Sequence, residues 1–239
     1  MTYIDGFVAA VPTANRDAYL AHARTASAIF REHGARRCVE CWGDDVKDGK
    51  VTDFRRAVQA KADETVVFAW IEHADKAAHD ATMGKVMADP RMTAMAMPFD
   101  GQRMIFGGFA MLHDGRTGDG AGYVDGFLVP VPTARRADYA KTAADFFPIV
   151  ADHGVQRHAE AWGDAVPAGK TTDMARAVQA TPEESIVFSW FEWTDRTARD
   201  AGSAAMVADE RMATMPADLP FDGKRMIYAG FEVILDERG

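Results

Sequence analysis

The chain has 239 residues, 48% hydrophobic and 26% charged, the composition of a globular protein rather than a disordered or membrane-embedded one. Its formal charge of -9, from 27 basic and 36 acidic side chains, argues against a general binder of nucleic acid or anionic membrane, both of which attract a net cationic surface. No apolar run approaches the roughly 20 residues that span a bilayer, and Met1-Thr2-Tyr3-Ile4-Asp5 lacks the basic and apolar segments of a secretory signal, so a cytoplasmic location is expected.

Tyr3 to Val11, rich in β-branched and aromatic residues, predicts a strand ended by Pro12. Between Asn15 and Glu32 the residues Tyr19, Ala23, Ala26 and Phe30 recur at helical spacing, and Gly34 after His33 suits the left-handed residue at a helix C-terminus. Arg36 to Trp42 predicts a second strand, followed by a Gly- and Asp-containing loop, the short segment Phe54 to Ala60, and a third strand from Thr65 to Glu72. Asp75 can cap a helix running to about Ala88, which Pro90 is expected to break. Met97-Pro98-Phe99-Asp100-Gly101 reads as a turn and Arg103 to Leu112 as a closing strand.

The second half repeats the first. Glu40, Trp42-Gly43-Asp44, Gly49-Lys50, Thr52-Asp53, Arg56-Ala57-Val58-Gln59-Ala60, Phe68, Trp70 and Glu72 return as Glu160, Trp162-Gly163-Asp164, Gly169-Lys170, Thr172-Asp173, Arg176-Ala177-Val178-Gln179-Ala180, Phe188, Trp190 and Glu192. The second long helix carries Tyr139, Ala143, Phe146 and Val150, with Pro148 expected to kink or interrupt it. His113 to Gly122 predicts a flexible Gly-rich connector without an apolar anchor, dividing the chain into a first repeat (1–114), a linker (115–121) and a second repeat (122–239).

Strand, helix, strand, strand, helix, strand is the ferredoxin-like βαββαβ order of an α+β protein, with both helices on one face of a four-stranded antiparallel sheet. Each sheet then has a bare face. Packing these faces together within one chain predicts an intrachain pseudo-dimeric α+β barrel, a monomer with internal pseudo-twofold symmetry. Alternation assigns Val39, Cys41, Val67, Ala69 and Ile71 to the helix side and Glu40, Trp42, Phe68, Trp70 and Glu72 to the side facing the other repeat.

On this reading, a cavity between the two sheets binds a small apolar or aromatic metabolite. Trp42, Arg56, Phe68, Trp70 and Glu72, with Trp162, Arg176, Phe188, Trp190 and Glu192, are its candidate ligand-binding residues. Glu40 and Asp44, with Glu160 and Asp164, are the candidates for cofactor-independent acid/base catalysis, because a carboxylate beside an indole in a semi-apolar cavity has a raised pKa. Ion pairing with Arg56 or Arg103 is their structural alternative. A non-catalytic scaffolding protein, whose aromatic and acidic face is only the contact between repeats, is the alternative function.

Five ordered strings carry a resemblance: Tyr3-Ile4-Asp5-Gly6-Phe7, Glu40-Cys41-Trp42-Gly43-Asp44-Asp45-Val46, Arg56-Ala57-Val58-Gln59-Ala60, Val66-Val67-Phe68-Ala69-Trp70 and Pro98-Phe99-Asp100-Gly101-Gln102-Arg103-Met104-Ile105. With their second copies, from Tyr123-Val124-Asp125-Gly126-Phe127 to Pro220-Phe221-Asp222-Gly223-Lys224-Arg225-Met226-Ile227, they resemble the YbaA-like family, a domain of unknown function. The resemblance implies a dimeric α+β barrel normally made by two identical chains and brings no established activity; this chain departs from it by tandem fusion.

Other motifs carry less. Cys38 and Cys41 have redox or zinc spacing, but the copy reads His158 and Ala161, and on a strand the two thiols point to opposite faces. His33 and His153 fit helix C-termini. Gly43 to Lys50 and Gly163 to Thr171 fail the phosphate-loop spacing. The methionines Met83, Met87, Met92, Met95, Met97 and Met104 read as core filler. No other His or Cys recurs in both copies, so neither a repeated His/Cys metal cluster nor a cofactor is expected.

Overall fold

The computed structural model describes residues 1–213 and 218–239. The first repeat contains β1 (Tyr3–Pro12), α1 (Arg16–Glu32), β2 (Arg37–Asp45), α2 (Phe54–Ala57), β3 (Glu64–His73), α3 (Lys76–Ala88), α4 (Pro90–Ala94) and β4 (Ile105–Arg116). The second contains β5 (Tyr123–Pro132), α5 (Arg136–Asp152), β6 (Arg157–Ala165), α6 (Met174–Ala177), β7 (Glu184–Trp193), α7 (Arg196–Ala208), α8 (Glu210–Ala213) and β8 (Ile227–Arg238). Asp75 caps α3 by accepting from the Ala78 amide, as its position predicts. Pro90 does not simply break this helix. It occupies the first turn of α4, where its missing N–H has no intrahelical partner to lose, and Asp89 caps it. Pro148 leaves α5 uninterrupted; it lies on the exposed face, where water can satisfy the carbonyl that its ring deprives of a donor.

Eight antiparallel strands close into one barrel in the order β1-β3-β2-β8-β5-β7-β6-β4. Each repeat supplies a run of four, β4-β1-β3-β2 or β8-β5-β7-β6, and the closing strand of each pairs with the second strand of the other. The connector is shorter than the sequence predicts: His113 to Arg116 extend β4 and pair with Glu160 to Arg157 of β6. Closure leaves no free sheet edge.

The interior is packed. Phe68 and Phe188 stack with ring centroids 4.4 Å apart, and Trp70 and Trp190 meet at 4.6 Å. Gly6 and Gly126 make room for this: a Cβ on Gly6 would stand 2.7 Å from the Phe188 ring, and one on Gly126 would stand 2.9 Å from Phe68. One end is plugged by Phe54, Ala57 and Val58 with Met174, Ala177 and Val178, clasped where the Thr52 hydroxyl donates to the Ala177 carbonyl (2.7 Å) and that of Thr172 to Ala57 (2.8 Å). Towards the other end Trp70 and Trp190 each donate to Glu72 or Glu192 at 3.0 Å. Arg37 holds Glu192 bidentately at 2.8 and 2.9 Å, and Arg157 reaches Glu72 at 2.5 Å. Burial alone would push both carboxyls up, but Arg157 for Glu72 and Arg37 for Glu192 override it and hold them low.

This packing corrects two expectations. Among the described residues, the stacked Phe68–Phe188 and Trp70–Trp190 pairs fill the space between the sheets where a ligand cavity was expected. The faces of β2 are also reversed. Pairing sets Cys41 opposite Phe68 and Val39 opposite Trp70, so Val39 and Cys41 point inward while Glu40 and Trp42 lie under α1. Directly paired residues share a face, and alternation within one strand fixes its phase only once a partner's register is known.

Candidate functional site

Two related cavities lie outside the barrel, one between each long helix and the sheet. In the first repeat a cavity of about 320 Å³ is bounded by Tyr19, Ala23 and Phe30 of α1, by Phe7, Cys38, Glu40 and Ile71 of the sheet, and by a cover carrying Met83, Met92, Met97, Phe99 and Met104. Its counterpart, about 450 Å³, is bounded by Tyr139, Ala143 and Phe146 of α5, by Phe127, His158, Glu160, Ser189 and Phe191, and by Met212, Leu219, Phe221 and Met226. Both volumes fall within the roughly 300–1,000 Å³ typical of small-molecule sites. The methionines are therefore pocket lining in part; Met87 is exposed.

A buried glutamate recurs in both cavities; the first is also bordered by Asp5, which pairs with His73 at 3.0 Å and His79 at 2.9 Å. Tyr19 Oη donates to Glu40 Oε2 at 2.6 Å, and Tyr139 Oη donates to Glu160 Oε2 at 2.8 Å, all four side chains being buried. The pairing follows from helical spacing, which sets the tyrosine on the sheet-facing stripe of the helix, and from the phase of β2 and β6. Burial pushes Glu40 up to about 7, against the opposing hydrogen bond from Tyr19. Such a carboxyl exchanges a proton at neutral pH and is the expected form of an acid or base facing apolar walls.

The two carboxylates differ in surroundings. Glu40 stands opposite Ala69 on one neighbouring strand and Leu235 on the other. Glu160 stands opposite Ser189 and His113, and accepts from His158 Nε2 at 2.7 Å. His158 replaces Cys38, whose thiol burial pushes up to about 12. Cys38 and Cys41 do lie on opposite faces, and the thiols form no pair.

The other sequence candidates have other tasks. Asp44 and Asp164 are not in the cavities: each accepts a tyrosine hydroxyl from the opposite repeat, Tyr123 at 3.0 Å and Tyr3 at 2.9 Å, and a basic partner, Arg196 or Lys76. Arg56 and Arg176 are half-exposed and pair with Asp53 and Asp173, the caps of α2 and α6. They touch neither Glu40 nor Glu160, nor does Arg103, which grips Glu64 at 2.6 and 2.7 Å. Trp42 and Trp162 pack beside the pocket tyrosines, within the apolar clusters under the helices. Phe68, Trp70, Phe188 and Trp190 are barrel core, and Glu72 and Glu192 belong to the arginine cluster. His33 and His153 bind Asp89 and Asp209 at 2.9 and 2.8 Å, fastening the cover segment to the long helix. In the Gly-rich loops the Gly49 and Gly169 amides are already taken by Asp53 and Asp173 at 3.1 Å, which leaves neither for a phosphate.

Sequence reasoning missed Tyr19 and Tyr139 as site residues, although each is the one polar-tipped member of an apolar helical stripe in both copies. It also missed His158 and His113, which have no counterpart in the first repeat. Among the described residues no group of three or more His, Cys, Asp or Glu is arranged to hold a metal ion.

Comparison with known proteins agrees with the duplication. The chain is 55% identical over 116 residues to Uncharacterized protein YbaA of Escherichia coli (strain K12), covering 48% of this chain and 99% of that protein, and equally to YbaA of Shigella flexneri. Among solved structures it resembles a provisionally named monooxygenase from Fusobacterium nucleatum (TM-score 0.55, 9% identity, 99% of this chain and 94% of that one). A similarly named protein from Lactobacillus acidophilus (0.54, 11%, 100% and 97%) and an anthrone oxidase-like protein (0.52, 13%, 99% and 92%) also match. At these identities the likeness concerns the barrel fold alone. Residues 2–101 and 122–223 each match the family described as Protein of unknown function (DUF1428), and the chain belongs to that family as a tandem duplicate.

Proposed function

We propose that the protein binds small apolar, chiefly aromatic, metabolites in the two cavities between the long helices and the barrel, with the buried tyrosine–glutamate pair as the polar anchor of each. The observation that carries this reading is the recurrence, in both repeats, of a buried tyrosine–glutamate pair among aromatic, aliphatic and thioether walls. Such walls bind by burying apolar area, at about 25 cal/mol per Å², while one polar pair fixes orientation. Acid/base chemistry at that pair belongs to the same proposal and draws support from the raised pKa of Glu40. The names of the fold relatives, monooxygenase and anthrone oxidase-like, are compatible with aromatic ligands and say nothing of the reaction here. We also read each half as a ferredoxin-like unit, a description supported by its strand order and its long helix on the outer face.

Calorimetric titration with 1-naphthol tests the assignment. Two sites per chain are expected, and Ala23→Trp and Ala143→Trp, which fill the first and second cavities, should each remove one. Unchanged stoichiometry in both folded variants, or no binding to the parent, would sink the reading.

A further inference from the structure

The two pockets are not chemically equivalent: His22 and Ser27 of the first are Thr142 and Phe147 in the second repeat, and three further differences surround the glutamate. Cys38, Ala69 and Leu235 of the first pocket's surroundings become His158, Ser189 and His113 in the second. Each of these three replaces a thiol or apolar group by one that hydrogen-bonds well.

His158 is 1% exposed and lines the cavity, its ring edge-to-face with Phe191 at 4.8 Å. Its Nε2 is bonded to Glu160, and its buried Nδ1 has no hydrogen-bond partner among the described residues. With Glu160 as acceptor for the Nε2 proton, the tautomer carries its lone pair on Nδ1, the way a carboxylate orients a catalytic imidazole. A second proton on Nδ1 would be a buried donor with no acceptor, a costly state unless the ligand supplies the acceptor. His113 packs against this ring at 4.7 Å, and burial, then His158, pushes it down, so it adds no charge at neutral pH. Ser189, directly opposite Glu160, brings a hydroxyl to the same wall.

We infer that the second pocket is a proton-abstracting site for enolisable aromatic ketones, with His158 as the base, while the first pocket, with Cys38 at that place, binds the same class of ligand without this imidazole. This rests on the binding reading above and assigns it a reaction. The C–H bond beside the ligand carbonyl breaks heterolytically. Its electron pair passes into the enolate, the proton goes to His158 Nδ1, and return of that proton to carbon or oxygen closes the cycle without a redox partner. Glu160 acts through His158 as a positioning residue, and Ser189 is placed to donate to the enolate oxygen.

The test uses 2-tetralone as probe, with binding followed by calorimetry and deuterium uptake beside the carbonyl in D2O followed by NMR. Two sites should bind it, and exchange should exceed the buffer rate. His158→Gln, and His158→Cys, which installs the residue that the first repeat carries, should retain two-site binding while exchange falls about 100-fold or more, the lower range of general-base contributions. Glu160→Gln, which also alters the polar anchor of the second pocket, should lower exchange measured at saturating 2-tetralone, and a first pocket given Cys38→His and Leu235→His should gain exchange in a His158→Gln background. Two-site binding with exchange absent, or with exchange indifferent to His158 in folded variants, overturns this inference and spares the binding proposal. No binding of 2-tetralone at either pocket overturns both.

Discussion

Glu40 carries a stability cost that depends on pH. Its ordinary value is 4.5 and burial lifts it to about 7, so between these limits the folded chain holds a proton that the unfolded chain has lost. Stability from this group is complete below 4.5 and declines as pH rises through about 7, by about 3 kcal/mol in all. Glutamine keeps the acceptor for Tyr19 and removes the titration. The Glu40→Gln variant is therefore expected to melt higher than the parent at about pH 8 and nearly with it near 4.5; a melting difference independent of pH would contradict the raised value. Glu40 was recognisable in the sequence as a candidate because it sits among apolar neighbours in both copies, but its partner and its side of the sheet were not. Both depend on the registers of β2 with β3 and β8, which are long-range facts, and β2 slips against β8 between Glu40 and Cys41. Asp44 looked equivalent in sequence and is a tether between repeats, since nothing local shows that Tyr123 ends beside it.

At the scale of elements, the capped helices and the strands were legible because their signals are local: Asp75 before α3, Gly34 after α1, and the alternating aromatics of β3. Pro148 does not interrupt α5, although its ring removes one donor and crowds the carbonyl four residues back, a cost that the packing of the helix must offset. Replacing it by alanine, the residue of the first repeat at Ala28, is expected to stabilise the protein by up to about 3 kcal/mol in thermal unfolding, and no gain would mean that the tertiary contacts of α5 already require the proline. The cover over the first cavity is held by polar contacts: α4 has no buried residue, Asp89 joins it to His33, Arg91 pairs with Glu32 at 2.7 Å, and Asn15 and His22 reach the Pro98 and Ala96 carbonyls. Asp89→Ala should accelerate amide exchange in residues 90 to 97 before it affects the barrel strands, and uniform loss of protection would refute a separately opening cover.

For the whole molecule, the duplication in the sequence forecast a closed architecture, yet it did not forecast which surfaces are sealed. Both ends of the barrel are occupied, one by the short helices and the other by Arg37, Arg157, Glu72 and Glu192. Removing one member leaves its partners charged and dry, so Arg37→Met is expected to cost about 3–5 kcal/mol, measured by denaturant unfolding, whereas a cost near zero would show the cluster to be hydrated. The crossing of β4 and β8 onto the opposite repeat has a further consequence for divergence. In a two-chain assembly of identical subunits every substitution appears twice, so a histidine facing one glutamate faces the other as well. Here His113 borders Glu160 while Leu235 borders Glu40. Covalent joining has freed two rooms of one house to be furnished separately.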